Sequence, residues 1–402
     1  MLVMKGNFFM KRFYDETLRW MIAIFFIAVP FNPYISGMTF YLWIILIFAD
    51  TTFLSRMQKV SRKTIAFLFI WMAVCLITIN PTIAIKSAVL ALGIFYFVTM
   101  RNEISRKVYF CFLISLVWCL MQFAAFFVDK SLALAMGPKN LSQLIWGQFA
   151  TKTSSNQFAI ILFPRMSGLS REAGFFASLL AVVFLIRLRE GNVKKKEYAL
   201  FAAGFLCSLS KVSFSLLIIG ILYPLKRIIN KIPVTITYAV FFLSLVSFAT
   251  YLNIGDPNFY IPNESIAHRL SASYMIQYMD VKSLFLGCAD DYNCFDNSKM
   301  GMVNYLISRG GGAGFTPNVG LNGIFINLGV LGFITAAIGL QVMNFKSFDL
   351  ILLIIFTSTV SLFTIDGFVI AIYYYILTEK YYAKRKSPGE SLNTWVNAPI
   401  SK

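Results

Sequence analysis

The chain consists largely of apolar runs of roughly 12–25 residues, and about 20 apolar residues are enough to cross a bilayer as a helix. Of its 402 residues, 58% are hydrophobic and 13% are charged. Soluble proteins carry about 45–50% apolar and about 25% charged residues. This balance excludes a cytosolic globular enzyme, a disordered chain and a fibrous repeat. It predicts an all-α polytopic integral membrane protein.

The runs predict about twelve transmembrane helices in a single transmembrane domain that covers residues 1–402. They fall at 20–36, 38–54, 64–79, 83–100, 108–128, 174–188, 198–210, 212–225, 234–251, 320–343, 350–364 and 367–378. The helix count stays open at 198–225 and 350–378, because Lys211 and Asp366 interrupt these stretches. No small-residue cleavage site follows the first run, so we expect an anchor rather than a signal peptide.

The basic residues indicate the side of the membrane on which each segment lies. With the N-terminus inside, the short inside segments carry 25 of the 36 Lys and Arg residues. Those segments are 1–19, 55–63, 101–107, 187–197, 226–231, 344–349 and the tail from Glu379. Positive charge in short loops marks the cytoplasmic side, so we expect both termini there. The net charge of +18 is then a topology signal, and nucleic acid is not expected as a partner.

Two outside segments, 129–173 and 252–319, are longer than a helical bundle needs to connect its spans. Loops of more than about 15 residues usually carry function or are disordered. The first segment contains LSQLIWGQF, which predicts an amphipathic helix at the membrane interface. The second is rich in Tyr, Phe and Asn. We therefore expect the chemistry of the protein to lie in these two loops.

Two of the six cysteines, Cys288 and Cys294, lie in the second outside loop, six positions apart. In an oxidising compartment such a pair can close a local disulfide worth about 2–3 kcal/mol against the unfolded loop. The alternative is two free surface thiols. The other four cysteines lie in predicted spans, where a thiol acts as a small apolar group. No second Cys or His pair is present nearby, which argues against zinc.

Several enzyme classes lack their sequence signatures here. The chain contains no GxxxxGK[ST] phosphate loop and no GxSxG elbow. Its single histidine excludes His-rich metal sites and paired-histidine haem sites. Asp290, Asp291 and Asp296 offer oxygen ligands to a hard cation but lack the alternating spacing of an EF-hand. We therefore expect no metal and no other cofactor.

The densest polar signal is PRMSGLSREAGF at 164–175, at the outer entrance to the sixth predicted span. It places Arg165, Arg171 and Glu172 within eight residues. Charge close to a membrane is costly and usually faces a cavity or a partner, and a guanidinium offers the planar, paired donors that suit phosphate. The simpler alternative is interfacial snorkelling, in which Arg171 and Glu172 only anchor the helix end.

Two more signals follow along the chain. AHRL at 267–270 opens a stretch with helical spacing, so we expect Arg269 near the start of an outside helix. His268, the only histidine, titrates near neutral pH and is a candidate general base, although a lone loop histidine is more often passive. The third signal, PNVGLN, contains Asn318 and Asn322 and opens a glycine-rich span, where small residues let helices approach closely.

In this order, the three signals resemble the bacterial surface-polysaccharide (O-antigen) polymerases and the related O-antigen ligases. The family's loose motif, an Arg, a Gly and an acidic residue leading into a span, is matched by Arg165, Gly168 and Glu172. The later motif, an Arg before an amphipathic helix with a Phe/Leu-Gly turn, is matched from Arg269 to SLFLG. The last motif is matched by PNVGLN through GVLGF. The resemblance covers residues 160–340.

CSLSKVSFSLL, with Lys211, also resembles the family's Ser-Arg/Lys span boundary. Two positions depart from the family pattern. Many members have Pro after the acidic residue, where this chain has Ala173. Ligases usually carry a His just before the late glycine-rich span, where this chain has Thr316, Pro317 and Asn318. The second departure favours a polymerase over a ligase.

The resemblance implies a metal-independent glycosyltransferase of the bacterial inner membrane with two large periplasmic loops. It would join oligosaccharide repeat units carried on undecaprenyl pyrophosphate and release undecaprenyl pyrophosphate, without a cofactor. Its partners would be these lipid-linked glycans, the membrane lipid and a chain-length regulator protein. The alternatives are an O-antigen ligase and, from another class, a lipid-linked oligosaccharide flippase. A flippase should have short loops on both sides and charged residues well inside its helices.

The resemblance also implies roles for individual residues. Arg165 and Arg269 would stabilise the charge that develops on the pyrophosphate. Glu172 or His268 would accept the proton of the acceptor hydroxyl, with Glu172 preferred. Further substrate contacts are expected from Arg171, Lys211, Tyr274, Tyr278, Asn318 and Asn322, the tyrosines by stacking on sugar rings.

Overall fold

The computed structural model describes residues 2–35, 38–56, 62–150, 164–190, 193–209, 215–288, 294–304 and 322–357. Most of these residues are helical. The strands in the described ranges are Tyr34–Ile35 (β1) and Met38–Thr39 (β2), an antiparallel pair with Tyr34 opposite Thr39. The fold class is all-α, as the sequence predicts. The predicted span 367–378 lies outside the described residues.

The first helices in chain order are α1 (Leu2–Ile27), α2 (Leu42–Ala49), α3 (Thr51–Arg56), α4 (Arg62–Ile77), α5 (Pro81–Thr99), α6 (Arg101–Val128), α7 (Lys130–Ala135), α8 (Pro138–Trp146) and α9 (Ala173–Glu190). They are followed by α10 (Lys195–Ser208), α11 (Ser215–Leu222), α12 (Lys226–Ile229), α13 (Val234–Tyr251), α14 (Pro257–Tyr260), α15 (Glu264–Met275), α16 (Val281–Leu286), α17 (Asn322–Val342) and α18 (Ser347–Thr357). Short 3-10 turns follow α8 at Gly147–Phe149 and α15 at Ile276–Tyr278.

Four of the described helices, α5, α6, α13 and α17, are long and apolar enough to cross a membrane. They contain 18 to 28 residues, and a bilayer core requires about 20. Shorter apolar stretches lie in α9 at Ala173–Leu188 and in α18 at Ser347–Thr357. Only α5, α6, α13 and α17, among the described helices, combine the length and the composition of membrane-spanning segments. The bounds of α13 coincide with the predicted run 234–251.

Two segments that the charge pattern predicts as inside segments are helical. α6 begins at Arg101, so the basic segment 101–107 forms its first two turns. α1 likewise begins at Leu2 and includes most of the segment 1–19. α8 lies where the sequence predicts an amphipathic helix, with Leu144 and Ile145 exposed. The basic residues of these two segments are thus continuous with the helices: they lie on the first two turns of α6 and along α1 as far as Arg19.

The predicted second span is two helices, because Asp50 interrupts it. Its carboxylate accepts hydrogen bonds from the backbone N–H groups of Thr52 and Phe53, both at 3.1 Å, and caps α3. The same carboxylate binds Arg19 at 3.1 Å and accepts a hydrogen bond from the Tyr96 hydroxyl at 3.1 Å. Asp50 is fully buried. Asp50, which the sequence places inside one predicted span, therefore lies between two helices and organises the interior of the bundle.

The described side chains form two hydrophobic cores. The larger core lies mainly among α1, α2, α4–α6, α9, α10, α17 and α18, and the rings of Trp43, Phe112 and Phe176 are fully buried in it. The smaller core is formed by α13–α16 and the first half of α17, around Tyr260 and Met275. This smaller core gives the predicted outside segment 252–319 an ordered interior within its described part.

The path of α9 defines two ends of the larger bundle. The end at which the segment 164–172 enters α9 is here the Arg165 end, and the opposite end, reached at Arg187, is the Arg187 end. α6 connects the two, with Lys107 near the Arg187 end and Gln122 near the Arg165 end. Fifteen residues separate these two positions in α6, a distance of about 22 Å along a helix.

α17 is interrupted at Gly329, where φ is 60° and ψ is −158°. The turn after α16 packs into this break: Gly287 and Gly329 both lie where a Cβ atom would overlap the opposing backbone. The Cys288 N–H donates to a carbonyl of α17 at 2.7 Å. Asn80, which precedes α5, donates to the Asn327 carbonyl at 2.7 Å. The interruption therefore ties the smaller core to the bundle.

Candidate functional site

The segment 164–172 is held in place by polar side chains of α6. The Gly168 N–H donates to Gln122 Oε1 at 3.0 Å, and Gln122 Nε2 donates to the Gly168 carbonyl at 3.3 Å. The Ser115 hydroxyl accepts a hydrogen bond from the Leu169 N–H at 3.0 Å. A buried backbone needs such partners when it makes no helical ladder. The two α6 side chains therefore allow a non-helical segment to lie buried against the bundle.

Backbone hydrogen bonds fix the same segment from two other directions. The Met166 N–H donates to the Cys207 carbonyl, at the end of α10, at 2.9 Å. The Val29 N–H, just after α1, donates to the Leu169 carbonyl at 3.2 Å. Parts of α1, α6 and α10 thus converge on a few residues. This convergence gives the segment one defined position relative to the bundle.

Gly168 is required at the centre of the segment. Its φ of +57° is strained for residues with a side chain. A Cβ atom at this position would also lie 2.6 Å from the Ser115 carbonyl oxygen and 3.1 Å from the Phe176 ring. The glycine that matches the family motif therefore has a steric reason to be there.

Arg165 is half-buried on this segment. Its Nε atom is buried and has no hydrogen-bond partner in the described ranges. Burial lowers the pKa of this guanidinium, while the charge of the nearby Glu172 carboxylate acts in the opposite direction. A buried donor left without a partner costs about 1–3 kcal/mol, and more when it is charged. Such a group in a folded protein calls for an explanation, and a bound anion is one.

Arg269 comes from α15, a helix packed against α13 and α17. All residues from 270 to 276 are buried. The Asn322 amide donates to the Ser273 hydroxyl at 2.5 Å and joins α15 to α17. Arg269 lies in the middle of α15 rather than near its start, because the helix already begins at Glu264.

The fold brings Arg165 and Arg269 near one another although 104 residues separate them in the sequence. Burial lowers the pKa of Arg269, and the positive charge of Arg165 lowers it further. Within the described ranges, neither arginine forms a salt bridge. The acidic group that acts on Arg165, Glu172, is exposed. Within the described ranges, the Arg165 end therefore places two partly desolvated guanidinium groups near each other and the Glu172 carboxylate near Arg165, and two neighbouring cations favour an anion.

The other charged residues predicted for the site are placed as follows. Arg171 is half-buried, and its guanidinium carbon lies 5.8 Å from the centre of the Phe175 ring. His268 belongs to α15 beside Arg269, and its side chain lies outside the described part of the structure. Lys211 and Asn318 also lie outside the described residues. Glu172 directly precedes α9, and its carbonyl accepts the Phe176 N–H at 3.0 Å.

Tyr274 and Tyr278 lie one turn apart and contact each other. The Tyr278 hydroxyl donates to the Tyr274 hydroxyl at 3.1 Å, and Tyr274 donates to Asn253 Oδ1 at 2.9 Å. Tyr274 is only 3% exposed, so in this structure its ring presents no face to a sugar. Tyr278 is half-buried and keeps part of its surface accessible. Asn322, also 3% exposed, contacts α15 rather than solvent.

Cys288 and Cys294 form a disulfide in the structure, with their Cα atoms 5.6 Å apart. Both are buried in the smaller core. Phe295, next to Cys294, forms an isolated β-bridge with Met279. The disulfide after α16 and the bridge before it together tie both ends of α16 to the segment 294–295, and α16 packs against the break in α17.

Within the described ranges, no group of three or more His, Cys, Asp or Glu side chains could hold a metal ion. Asp296 accepts a hydrogen bond from the Ser298 N–H at 3.3 Å and pairs with Lys299 at 2.8 Å. Asp290 and Asp291 lie outside the described residues.

Sequence reasoning did not single out Gln122, Ser115 or Asn80. Gln122 and Ser115 hold the segment that carries Arg165, and Asn80 satisfies a carbonyl at the break in α17. A signal for them was present, because an amide inside an apolar run is costly unless it has a defined partner. Their partners are backbone groups from distant segments, which a single sequence does not reveal.

No protein-family model, no curated protein and no solved structure matches the chain. Two guanidinium groups with one adjacent carboxylate can bind a phosphate-containing anion, stabilise additional negative charge on it and accept a proton nearby.

Proposed function

We propose that the protein is a surface-polysaccharide (O-antigen) polymerase, a glycosyltransferase that acts on glycans carried by undecaprenyl pyrophosphate. The observation that carries this proposal is the proximity of Arg165 and Arg269 at the Arg165 end, without a salt bridge to either in the described ranges. Two neighbouring cations repel each other, and an anion bound between them offsets this repulsion. A diphosphate matches this charge and the bidentate geometry of guanidinium groups.

The proposed reaction requires little from the protein beyond positioning and charge. A hydroxyl oxygen of the acceptor glycan attacks the anomeric carbon of the donor glycan and forms the new glycosidic bond. The bond between this carbon and the pyrophosphate oxygen breaks, and undecaprenyl pyrophosphate leaves with the electron pair. Arg165 and Arg269 stabilise the negative charge that develops on the leaving group, the kind of contribution that is usually worth most in catalysis.

The hydroxyl proton must pass to a base. Glu172 is our preferred candidate, because it is exposed and close enough to act on Arg165. His268, adjacent to Arg269 on α15, is the alternative. Tyr278 and Arg171 are proposed to contact the glycan or the lipid head, whereas the burial of Tyr274 and Asn322 gives both a positioning role.

The proposal includes an orientation in the bacterial inner membrane. About twelve spans with both termini in the cytoplasm put the Arg187 end inside and the Arg165 end, with the loops 129–173 and 252–319, in the periplasm. Single cysteines at the exposed positions Gln277 and Lys195 test this. A membrane-impermeant maleimide should label Gln277→Cys in intact spheroplasts and Lys195→Cys only after lysis. The reverse pattern would contradict the orientation and the reaction together.

A strain without the protein tests the function itself. Loss of a polymerase should leave single repeat units attached to lipid A, because flipping and ligation still proceed. Loss of a flippase or of a ligase should leave no repeat units at the surface. Gel analysis of the lipopolysaccharide distinguishes these outcomes, and a surface free of repeat units would contradict the proposal. A chain-length regulator protein remains a proposed partner.

A lipid-linked oligosaccharide flippase is the alternative from another class. The buried pair Arg19–Asp50 places charge inside the bundle, as a flippase requires. These charges, however, lie at the Arg187 end and bind each other at 3.1 Å. Two charges that bind each other at one end of the bundle do not line a transport pathway across the membrane. We therefore favour the polymerase.

A further inference from the structure

The connection between α7 and α8 lies beside α6, below the end of that helix. The Met136 carbonyl accepts hydrogen bonds from Trp118 Nε1 at 3.0 Å and from Gln122 Nε2 at 2.7 Å. Gln122 comes six positions before Val128, the last residue of α6, which is about 9 Å along a helix. α7 therefore folds back along α6, and residues 130–146 form a helical hairpin beside it, here the 130–146 hairpin.

The segment that carries Arg165 lies at the same level. The Gln122 side chain also accepts a hydrogen bond from the Gly168 N–H at 3.0 Å. α8 packs against the 3-10 turn Val29–Phe31, and the N–H group of the first residue of this turn donates to the Leu169 carbonyl at 3.2 Å. The 130–146 hairpin and the segment that carries Arg165 are therefore held at one level by the same parts of the bundle.

Two helix lengths place this level below the membrane surface at the Arg165 end. Arg187 follows Ala173 by 14 positions in α9, which is about 21 Å, whereas the hydrocarbon core of a bilayer measures about 30 Å. α6 stays apolar up to Val128, which is 83% exposed, and Asp129 follows as its first charged neighbour. The 130–146 hairpin therefore lies about 9 Å deeper than the point at which α6 leaves the apolar layer.

The backbone between α7 and α8 has protein partners for its polar groups. The Met136 N–H donates to the Leu132 carbonyl at 3.0 Å, and the Gly137 N–H donates to the Leu134 carbonyl at 2.9 Å. The Asn140 amide donates to the same Leu134 carbonyl at 2.8 Å. Non-helical backbone is tolerated at membrane depth only where protein or a water-filled cavity satisfies it. The connection meets this requirement with protein groups.

α8 has its apolar side away from the protein. Ser142 is fully buried, whereas Leu144 and Ile145 are 83% and 46% exposed. Lys139 and Gln143, on another side of the helix, are exposed as well. A helix that packs against a core in water buries its apolar side. The reverse arrangement suits a helix whose leucine side contacts hydrocarbon and whose polar side contacts lipid headgroups.

From this depth, the satisfied backbone and the exposed apolar side, we propose that the 130–146 hairpin is embedded in the lipid leaflet at the Arg165 end, with Leu144 and Ile145 among the acyl chains. The partner of this surface is lipid, because the hairpin packs beside α6, a helix of membrane-spanning length with Met121 and Val128 exposed. Lys139 then extends toward the lipid phosphates, as long basic side chains at this boundary do.

The embedded hairpin brings the lipid surface to the level of Arg165. The apolar side of an interfacial helix lies about 5–10 Å below the boundary with the headgroups. Headgroups above α8 therefore lie closer to Arg165 than headgroups around the end of α6 do, and a lipid-linked diphosphate reaches the arginine without leaving the headgroup layer. This consequence rests on the proposed function, whereas the lipid contact of the hairpin does not.

The test uses the full chain reconstituted in vesicles of phosphatidylethanolamine and phosphatidylglycerol. A nitroxide is attached to one introduced cysteine, and its collisions are measured with oxygen, which concentrates in hydrocarbon, and with a water-soluble nickel chelate. Labels at Leu144→Cys and Ile145→Cys should collide mainly with oxygen and report a depth of about 5–10 Å below the headgroups. A label at Val128→Cys should report a smaller depth, because α6 ends above the hairpin.

The matched control is Gln143→Cys, the exposed neighbour of Leu144 on the polar side of α8. Its label should collide mainly with the nickel chelate. Wild-type protein treated in parallel measures the background from the buried free cysteines Cys75, Cys111, Cys119 and Cys207. Thermal unfolding of each labelled variant shows whether the hairpin was measured in the folded protein, and the Leu144 and Ile145 labels report on the same side independently.

Three results would overturn the proposal. Labels at Leu144 and Ile145 that collide mainly with the nickel chelate would place the hairpin in water. Labels protected from both reagents would show that protein, such as a second copy of the chain, covers this side of α8. A greater depth at Val128 than at Leu144 would show that the hairpin does not lie below the end of α6. None of these measurements depends on the proposed glycosyl transfer, which the strain without the protein tests separately.

Discussion

The two ends of the bundle differ in whether their basic side chains form salt bridges. At the Arg187 end, several have a carboxylate partner within a short distance: Arg19–Asp50 at 3.1 Å, Arg56–Glu103 at 2.7 Å, Lys107–Glu16 at 2.8 Å and Arg187–Glu197 at 3.0 Å. At the Arg165 end, Arg165 and Arg269 are partly buried and form no salt bridge within the described ranges. Internal pairs serve the fold, whereas cations brought together without internal partners suit an external anion.

The largest expected effect is a difference in stability between substitutions of an acidic residue at each end, Asp50 and Glu172. Asp50→Ala removes the carboxylate that Arg19 binds at 3.1 Å and leaves the buried guanidinium only its 4.0 Å contact with Asp15. Breaking a buried pair costs about 3–5 kcal/mol. Glu172 is exposed, so Glu172→Ala should change stability by less than about 0.5 kcal/mol while it lowers polymer formation. Thermal unfolding of the purified variants measures the difference. Equal destabilisation by both substitutions would remove the contrast between the ends.

The arginines of the Arg165 end should matter for activity and not for stability. Removal of one charge-stabilising donor from an active site typically lowers the rate about 100- to 1,000-fold, and we expect this for Arg165→Ala and for Arg269→Ala at normal protein abundance. Lysine replacements should restore little, because a point charge lacks the planar fork. Lipopolysaccharide chain length on gels is the readout.

Lys282→Ala is the matched control for these arginine variants. Lys282 is an exposed cation on α16, in the same predicted periplasmic loop as Arg269. It should support normal polymer length. Wild-type polymer length in both arginine variants would contradict the site assignment. An equal loss of polymer in Lys282→Ala would show that any positive charge in this loop matters, and not these two arginines.

Alanine substitutions at two glycines test how tightly the segment that carries Arg165 is held. Gly168 and Gly147 have φ values of +57° and +55°, but only at Gly168 does a Cβ atom meet a neighbour within 4 Å. Both alanine variants should lose about 1 kcal/mol through backbone strain, and overlap should cost Gly168→Ala about 2 kcal/mol more. Unfolding midpoints and polymer length report the two effects. Equal behaviour of the two variants would show that Gly168 is not held as tightly as the structure indicates.

The smallest expected effect concerns the loop around α16. Closing a loop of this size by a disulfide is worth about 2 kcal/mol, so Cys288→Ser/Cys294→Ser should unfold slightly earlier and still polymerise. Cys75→Ser is the control: it makes the same Cys-to-Ser substitution at a buried cysteine that forms no disulfide. Complete loss of polymer from the double variant, at normal abundance, would place the disulfide in the site rather than in its support.

Sequence patterns predicted the parts of this fold that depend on local periodicity. The apolar run 234–251 is α13 residue for residue, and the helix in LSQLIWGQF is α8. The prediction from apolar runs was wrong where a single polar side chain interrupts a predicted span. Asp50 divides the predicted second span, because its carboxylate caps α3 and binds Arg19.

The candidate site was predictable in its residue types but not in its construction. Charge density before a span drew attention to Arg165 and Glu172, and helical spacing placed Arg269 on a helix. Their proximity depends on Gln122, which holds Gly168, and on contacts across more than 100 residues, for which one sequence carries no signal. Tyr274 shows the same difficulty. The sequence predicts that its ring stacks on a sugar, but the ring is buried in the smaller core.

The most direct test of the account is a comparison of undecaprenyl pyrophosphate with undecaprenol as ligands for the purified protein. If Arg165 and Arg269 bind the diphosphate, the charged lipid should bind at least about 100-fold more tightly than the neutral one, because each charged hydrogen bond contributes about 1.5–3 kcal/mol. The Arg165→Ala/Arg269→Ala variant should lose this preference. Equal affinity for the two lipids, or a preference that survives in the double variant, would contradict the account.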